Sequence, residues 1–214
     1  MKYLELIKGQ FTADHEARAK QEEPYVAYSE EADTVMYNFI PEPVVGPADN
    51  EIWYTSSDGN VVTPNNTDFF GANIVSNTYE NGKGVITFDG DVASSGNYAF
   101  YGCSSLTSVT IPSSVTSIGE MAFINCYSLT SITIPNSVTS IEYRAFFDCR
   151  ELTSITIGNS VTSIGDEVFY YCNYLISITY NGTTEQWNTI TKGNSWNYQA
   201  PATYVQCTDG QVAL

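Results

Sequence analysis

The residues best suited to chemistry in this chain are its cysteines, four of which recur at a fixed interval. Cys103, Cys126, Cys149 and Cys172 stand 23 residues apart, and Cys207 lies outside that register. Thiolates can bind metal ions, but such a site needs two or more sulfur atoms at about 2.3 Å from one ion. The chain has no CxxC pair and a single histidine, so a metal site is disfavoured.

The apolar residues around the cysteines repeat at the same interval. The recurring positions are Phe100, Phe123, Phe146 and Phe169; Leu106, Leu129, Leu152 and Leu175; Val115, Val138 and Val161; Ile118, Ile141 and Ile164. A period of about 20 to 50 residues is typical of a solenoid, whose repeats bury their apolar faces against one another. Stacked strands lie about 4.7–4.9 Å apart, further than the roughly 3.5–4.5 Å between the Cβ atoms of a disulfide. We therefore expect a reduced, buried ladder of the four spaced cysteines, and make no prediction for the redox state of Cys207.

Histidine and the acidic pairs are weaker candidates for a reactive site. His15 lies in an acidic, helix-favouring stretch, where a solvated surface accounts for it. Asp89 and Asp91 could bind calcium, but no EF-hand-like spacing of ligands follows them. Glu22-Glu23 and Glu30-Glu31 fall in charge-rich segments, whereas catalytic carboxylates need opposed placement and burial. The abundant serines occupy repeat positions that structure explains, so we expect no catalysis and no cofactor.

Each repeat contains a short strand, a turn and a second pair of inward residues. The unit from Leu106 to Gly119 reads LTSVTIPSSVTSIG, and close copies begin at Leu129 and Leu152. Three apolar positions alternate with Ser and Thr, so the strand has one buried and one polar face. A proline then ends the strand in the first two copies, because it has no N–H for a further ladder bond. The segment with the Phe and the Cys suits one or two helical turns.

The unit Leu-Thr-Ser-Ile-Thr-Ile-Pro-x-Ser-Val-Thr-Ser-Ile-Gly-x-x-Ala-Phe-x-x-Cys resembles the BspA-type leucine-rich repeat of bacterial surface proteins, which also occurs in treponemal leucine-rich proteins. Residues 84–182 carry the resemblance. It implies a right-handed leucine-rich repeat solenoid, with a parallel β-sheet on the concave side and short strands and helical turns on the convex side. It also implies a non-catalytic role in adhesion or in binding a host or matrix protein or a glycan, at the cell surface or in secreted form.

If the leucine-rich geometry holds, the outward hydroxyls of the strands form a regular grid on the concave face, and this grid is the predicted partner-binding site. Its members are Ser108, Thr110, Ser131, Thr133, Ser154, Thr156, Ser177 and Thr179. A purely structural interpretation stays open, because strand propensity alone favours Thr at such positions. The C-terminal aromatics are open to two interpretations as well, a platform for sugar rings or, as we favour, a cap over the last repeat. They are Tyr174, Tyr180, Trp187, Trp196, Tyr198 and Tyr204.

Four segments are predicted along the chain: 1–47, 48–83, 84–182 and 183–214. The first is a small module with a β-hairpin and a Pro-rich linker, and the second is a hairpin segment around Asp58-Gly59 that packs on the first repeat. The third holds the repeats, with Ile86 and Phe88 in a degraded first rung. The fourth is a C-terminal cap, in which the two tryptophans and Tyr198 cover the last rung.

Charge and hydropathy reduce the classes of partner that the chain is expected to bind. The chain carries 24 acidic and 8 basic residues, a formal charge of −16. Nucleic-acid binding is disfavoured, because no cluster of Lys or Arg is present to track a phosphate backbone. No apolar run suits a bilayer span or a signal peptide, so we expect neither membrane insertion nor an export signal in this chain. A protein or a glycan remains the expected partner, a structural spacer or assembly element is the alternative function, and a monomer is compatible with the sequence.

Overall fold

The structure, a computed structural model, describes residues 26–29, 34–37, 46–68 and 70–214. The chain divides into two compact units, Met1–Val45 and Gly46–Leu214. His15 and the acidic pairs at 22–23 and 30–31 lie outside the described residues.

The first unit contains two antiparallel strands, β1 (Val26–Ser29) and β2 (Thr34–Tyr37). Ser29 lies opposite Thr34 at the closed end of the pair. Both strands fall in the segment where alternating residues around a polar turn predict a hairpin.

The second unit is built from two sheets and one short helix. The large sheet contains β3 (Glu51–Ser56), β4 (Ile74–Glu80), β5 (Lys83–Phe88), β6 (Leu106–Thr110), β8 (Ser131–Thr133), β10 (Ser154–Ile157), β12 (Ser177–Tyr180), β14 (Tyr204–Gln206) and β15 (Gln211–Ala213). The small sheet contains β7 (Ser117–Ile118), β9 (Ser140–Ile141), β11 (Ser163–Ile164) and β13 (Thr191–Lys192). Helix α1 (Thr184–Thr189) lies between β12 and β13 in the chain and is too short and polar to cross a bilayer, as is every helix in the described residues.

One strand of each repeat joins a parallel stack in the large sheet. β6, β8, β10 and β12 follow one another in register, so that Ser131 lies between Ser108 and Ser154. β7, β9 and β11 stack in the same way in the small sheet. β6 and β8 end before Pro112 and Pro135, as the sequence predicts. The predicted parallel solenoid is confirmed.

The core is a set of ladders that run along the solenoid. All the recurring Leu, Phe, Val and Ile positions of the repeats are at most 2% exposed. The rings of Phe100, Phe123, Phe146 and Phe169 form one continuous stack, with successive centroids 5.2, 5.2 and 5.6 Å apart. Each repeat therefore buries its apolar face mainly against its neighbours, which explains why one repeat alone would not fold.

The segments opposite the large sheet, which we call the convex turns, comprise residues 97–105, 119–128, 142–151 and 165–174. Each contains two residues of positive φ, four positions apart, for example Met121 (φ 51°) and Asn125 (φ 60°). Side chains disfavour a left-handed residue inside a right-handed helix. The chain instead closes two successive turns, with N–H···O bonds from Ile124 to Met121 and from Cys126 to Phe123. These turns replace the helical turns that the sequence predicts.

The N-terminal end of the large sheet differs from the prediction. β5 does not stack in parallel on β6 as a first rung; β3 lies between them and is antiparallel to both. The rest of that repeat does follow the stack, because Ser94 bridges Ser117 in parallel and Ser95 Oγ accepts the Gly119 N–H at 2.9 Å. Parallel and antiparallel strands share the same alternation of side chains, so the sequence pattern does not distinguish them.

The hairpin predicted around Asp58-Gly59 is wrong, because residues 61–63 form no strand. The Tyr54 side chain holds this segment: its hydroxyl accepts the Val62 N–H at 3.2 Å and donates to Asn77 Oδ1 at 2.8 Å. The Tyr54 ring lies over Gly84 on β5, where an added Cβ would overlap the ring. The Val62 N–H is therefore not available for a hydrogen bond between strands. Strand β3 pairs with β5 and β6 instead.

The C-terminal cap is organised around Trp187 on helix α1. Thr183 and Gln186 form a capping box at the start of the helix. Trp187 is buried, with its ring 5.3 Å from that of Tyr180 and 5.9 Å from that of Trp196. Tyr198 does not cover the last rung, contrary to the prediction, because it is 51% exposed and packs on Tyr170 of the neighbouring convex turn.

Candidate functional site

The predicted hydroxyl grid lies on the outward side of the large sheet as two regular rows. Ser108, Ser131, Ser154 and Ser177 are aligned by the strand register, and so are Thr110, Thr133, Thr156 and Thr179. All eight side chains are exposed or half-buried. Rows related by strand pairing are about 4.8 Å apart, so this surface offers a closely spaced array of groups that both donate and accept hydrogen bonds.

Strand β3 extends both rows beyond the repeats. Thr55 lies opposite Ser108 and Trp53 lies opposite Thr110. The Thr55 hydroxyl is 2.6 Å from the Oγ1 of Thr107 and 2.6 Å from the Oγ of Ser108. Strand β3 therefore ties the Ser108 hydroxyl, at the start of the grid, into local hydrogen bonds.

Trp53 is fixed at the N-terminal end of the grid by two charged neighbours. Its indole N–H donates to Glu51 Oε2 at 2.8 Å. The Lys83 ammonium lies 3.0 Å from the centroid of the ring, a cation–π contact. These contacts leave the tryptophan half-buried, with one face of the ring covered by Lys83.

At the C-terminal end of the grid, an aromatic side chain follows the serine row and an amide, that of Gln206, follows the threonine row. Strand β14 pairs with β12, which places Tyr204 next to Ser177 at the end of the serine row. Tyr204 is 43% exposed. Nearby, Ile176 is 67% exposed and stands where the other repeats carry Thr107, Thr130 and Thr153.

A shallow groove of about 250 Å³ runs between β6 and β8. Its walls are the hydroxyls of both strands and its floor includes Val109 and Ile132. No carboxylate, amine or imidazole lines this groove. It can bind by hydrogen bonds and apolar contact, but it contains no pair of groups for general acid–base chemistry.

The four spaced cysteines lie at the ends of the convex turns. The thiols of Cys126, Cys149 and Cys172 are buried, and each donates to the carbonyl of the preceding repeat's Phe, at 3.1 Å in all three cases. Cys103 is half-buried and donates to the Thr63 carbonyl at 3.7 Å. None of the five cysteines, all within the described residues, forms a disulfide.

Burial makes these thiols poor nucleophiles. It raises the pKa of Cys103 to about 11 and that of Cys172 to about 12, and it raises the pKa values of Cys126 and Cys149 well above the ordinary range. Cys207 in the C-terminal cap is buried too, and its pKa is raised by burial and then by the charge of Asp209. Because the thiolate is the reactive form, these thiols stay protonated and unreactive at neutral pH.

The C-terminal aromatics divide into two groups. Tyr180, Trp187 and Trp196 are buried in the cap, whereas Tyr174, Tyr198 and Tyr204 are exposed. The exposed three lie on different surfaces, since Tyr204 is on the large sheet and Tyr198 is on the convex side. They do not form one platform.

Of the acidic pair that could bind calcium, Asp89 is engaged in local hydrogen bonds. Asp89 accepts from the Asn73 backbone N–H and from its side-chain amide, both at 2.8 Å. These two bonds hold the pKa of Asp89 below its usual value. Within the described ranges, no three His, Cys, Asp or Glu side chains are grouped so that they could hold a metal ion.

Sequence reasoning missed the aromatic ends of the grid. The sequence pattern predicts Trp53 in a hairpin segment and Tyr204 among the cap aromatics, because neither residue belongs to the period of 23. The alternation of Ile52 and Tyr54 with Trp53 was the available signal, since it puts the tryptophan on the polar side of its strand.

Comparison with known proteins gives three similar solved structures. A leucine rich repeat protein from T. pallidum is 33% identical over 56% of this chain and 54% of its own, with a TM-score of 0.49. A leucine rich cell surface protein from Faecalibacterium prausnitzii A2-165 is 34% identical over 48% and 33%, with a TM-score of 0.41. A leucine-rich repeat protein from Bacteroides ovatus ATCC 8483 is 30% identical over 86% and 40%, with a TM-score of 0.47.

The chain thus spans between a third and just over half of the length of these proteins. A search of curated proteins gave no match. The model of the BspA type leucine rich repeat region matches residues 60–195, in six copies. That match covers more than half of the chain and takes in all the stacked repeats. The chain belongs to the BspA-type leucine-rich repeat family.

Proposed function

We propose that the solenoid is a non-catalytic binding module whose concave face takes a protein or glycan partner at the bacterial cell surface. The concave face comprises the serine and threonine rows of the grid, with Trp53 at one end and Tyr204 at the other. The observation that carries the proposal is this combination of uncharged hydroxyls and flanking aromatic side chains on one sheet surface. Membership of a repeat family found in bacterial surface proteins supports the cell-surface location.

The chemistry of the concave face suits a partner rich in hydroxyls or in backbone amides. Hydroxyls donate and accept, so the grid can pair with either kind of group without a buried charge. Tyr204 and Ile176 add apolar area where a partner can anchor, and exposed aromatic anchors supply most of the energy in many interfaces. Strand propensity accounts for the threonines, but it does not account for an exposed isoleucine and tyrosine at the end of the rows.

A binding assay with concave-face variants tests the proposal. The full chain would be screened against an array of host matrix proteins and glycans, and the affinity for each ligand found would be measured by biolayer interferometry. Thr133→Glu with Thr179→Glu places two charges on the concave face, two strands apart and so not directly opposite one another, and we expect a loss of affinity of about tenfold or more.

The matched control is Ser160→Glu, because Ser160 is exposed in the turn after β10 and away from the concave face. It should leave the affinity unchanged. The absence of any ligand at micromolar concentration, or an equal loss in the control, would count against the concave face as the binding site.

A structural spacer or assembly element is the second candidate. The observation in its favour is that Met1–Val45 forms a compact unit of its own, as an attachment module would. Deleting residues 1–40 distinguishes the two functions. A spacer would lose its placement in the larger assembly, whereas a binder would keep its affinity for the ligand found in the array.

A further inference from the structure

The convex turns carry every charged side chain of residues 99–182. The six acids are Glu120, Glu142, Asp148, Glu151, Asp166 and Glu167, and the two bases are Arg144 and Arg150. The convex turns also carry exposed aromatic side chains, namely Tyr98, Tyr101, Tyr127, Tyr171 and Tyr174. Tyr198 continues this surface beyond the last full repeat. A surface of tyrosines and unbalanced carboxylates is therefore present on the side opposite the concave face.

The protein's own arginines show how this surface holds a guanidinium. Arg150 makes two bonds of 2.9 Å to the carboxylate of Asp148 and lies 4.9 Å from the centroid of the Tyr127 ring. Arg144, six residues earlier in the same convex turn, repeats the arrangement. It pairs with Glu167 at 2.7 Å and lies over the rings of Tyr143 and Phe147, at 4.8 and 4.9 Å. In both cases a carboxylate and an aromatic ring hold one guanidinium.

The same set of groups occurs once more without a cation. The Tyr98 hydroxyl donates to Glu120 Oε1 at 3.3 Å, and the rings of Tyr98 and Tyr101 lie 6.4 Å apart. Tyr98 is 38% exposed. The described residues provide no basic partner for Glu120, because the other two bases of residues 46–214, Lys83 and Lys192, lie over Trp53 and Trp187.

An aromatic strip continues from Arg144 toward the C-terminal cap. The ring of Phe147 stacks on Tyr170 at 5.4 Å, and Tyr170 contacts Tyr171 at 4.5 Å and Tyr198 at 4.8 Å. Tyr171 and Tyr198 are the exposed members. The convex turns that carry Tyr98 and Tyr171 are three repeats apart, about 14 Å along the stack, which roughly four residues of extended polypeptide would span.

We propose that the convex turns form a second binding surface that takes an arginine-rich segment of a partner protein, with one guanidinium held between the Tyr98 ring and the Glu120 carboxylate. Charge complementarity selects a basic segment, since acids outnumber bases six to two in residues 99–182. Planar guanidinium groups stack on tyrosine and bind carboxylates in pairs, so arginine is preferred to lysine. Tyrosine further supplies rigid, amphipathic contact area at little entropic cost.

The test uses the full chain and a fluorescein-labelled synthetic peptide of alternating arginine and serine, with a lysine–serine peptide for comparison. Binding is followed by fluorescence anisotropy at low salt. We expect the arginine peptide to bind several-fold more tightly than the lysine peptide. Tyr98→Ser and Glu120→Gln should each weaken binding of the arginine peptide by about fivefold or more, since each removes one half of the guanidinium site.

Two features of the chain make matched variants available. Ser195 occupies the position of Tyr98 in the last rung with the same left-handed backbone (φ 54° against 57°), so Tyr98→Ser introduces no strain. Tyr204→Ser removes an exposed tyrosine from the concave face and should leave peptide binding unchanged. Should Tyr98→Ser unfold the chain, as judged by circular dichroism, Tyr171→Asn replaces it, because Asn125 holds the equivalent left-handed position.

Three results would overturn the proposal. One is the lack of binding at peptide concentrations up to about 1 mM. Another is equal affinity for the arginine and lysine peptides with no effect of the tyrosine variants, which would indicate general attraction by negative charge alone. The third is an equal loss in Tyr204→Ser. The outcome does not depend on the ligand of the concave face, so either surface can fail without the other.

Discussion

The concave face and the convex turns of the same solenoid differ in one consistent way. Across residues 99–182, the strands of the large sheet repeat the same uncharged hydroxyls, whereas the turns carry all eight charges and change residue type from one repeat to the next. At one turn position, for example, the sequence runs Glu120, Tyr143, Asp166. The two surfaces share the same repeat interval, but residue type is kept from repeat to repeat on the concave face and varies on the convex turns.

Electrostatics explains the difference. Equivalent side chains on neighbouring strands lie about 4.8 Å apart, and like charges directly opposite one another destabilise a sheet. Identical hydroxyls carry no such penalty, so the same Ser and Thr residues can recur on every strand of the stack. In the turns a charge is tolerated where the next repeat carries a neutral or opposite group, as with Arg144 beside Glu167. Only neutral side chains can therefore recur at the same position in every repeat without electrostatic cost.

The largest effect is expected from the core that both surfaces share. Phe146→Ala removes one ring from the phenylalanine stack and leaves a cavity between Phe123 and Phe169, which should reduce the free energy of unfolding by about 3–5 kcal/mol. Urea denaturation of the parent chain and of the variant would measure this decrease in the free energy of unfolding. Hydrogen exchange should rise more in residues 142–151 than in β10, because the ring supports the convex side. An equal rise of hydrogen exchange in both segments would mean that the ring supports the two surfaces equally.

The second-largest effect is expected at alkaline pH, where the buried thiols of the convex turns should lower the free energy of unfolding. Thiols of the unfolded chain titrate near pH 8.5, whereas the folded pKa is about 11 for Cys103 and about 12 for Cys172. The folded state therefore retains protons that the unfolded state releases. Stability is fully present below about pH 8.5 and falls as the pH rises through the folded values, by up to about 1.4 kcal/mol per pH unit for each thiol.

Urea denaturation at about pH 8 and pH 10 would measure this loss of stability. The Cys172→Ser variant provides the control, because serine donates to the Phe146 carbonyl without titrating in this range. Its stability should fall less steeply between the two pH values. A slope identical to that of the parent chain would contradict the role of the thiol proton.

A smaller effect is expected from a charged residue of the turns. Arg144→Gln removes the ion pair with Glu167 and the stacking on Tyr143 and Phe147. Both partners of the ion pair are about a third exposed, so the loss should be about 0.5–1 kcal/mol and should shrink in high salt. Unfolding in low and high salt would check it, and a loss that does not depend on salt would mean that packing, not charge, holds Arg144.

The smallest effect is expected on the concave face. Thr156→Val keeps the branched shape of the side chain on a half-buried strand position and replaces the hydroxyl with a methyl group, so the free energy of unfolding should change by less than about 0.5 kcal/mol. Ligand affinity, in contrast, should fall if the grid binds by hydrogen bonds. A destabilisation as large as that of the turn variants would mean that the grid is structural.

Much of the solenoid could be predicted because its pattern is repeated. Leu129, Phe146 and Ile164 were assigned inward positions from spacing alone, and all are buried. The ends could not be predicted in the same way. β3 was assigned to a hairpin with residues 61–63, and the true partners, β5 and β6, lie some 30 and 50 residues further along the chain. Local alternation fixes which side of a strand is buried, but it does not specify the partner strand.

The candidate site shows the same division between local and long-range information. The hydroxyl rows follow from the repeat, but Trp53 joins them only because β3 inserts beside β6, and Tyr204 only because β14 adds to β12. Tyr198 was assigned to the cap, yet it lies on the convex side because the last rung continues past α1. These placements depend on pairings between segments that share no periodic signal.

The period, the inward residues and the stacking of like side chains follow from the amino-acid sequence, because a repeat that cannot fold alone must bury the same positions in every copy. The direction of the capping strand, the aromatic ends of the concave face and the grouping of tyrosines with carboxylates on the convex turns depend on the three-dimensional arrangement. Those features arise where the stack ends or where neighbouring copies differ. At those places, contacts between residues that are distant in the sequence determine which strand or side chain packs beside which.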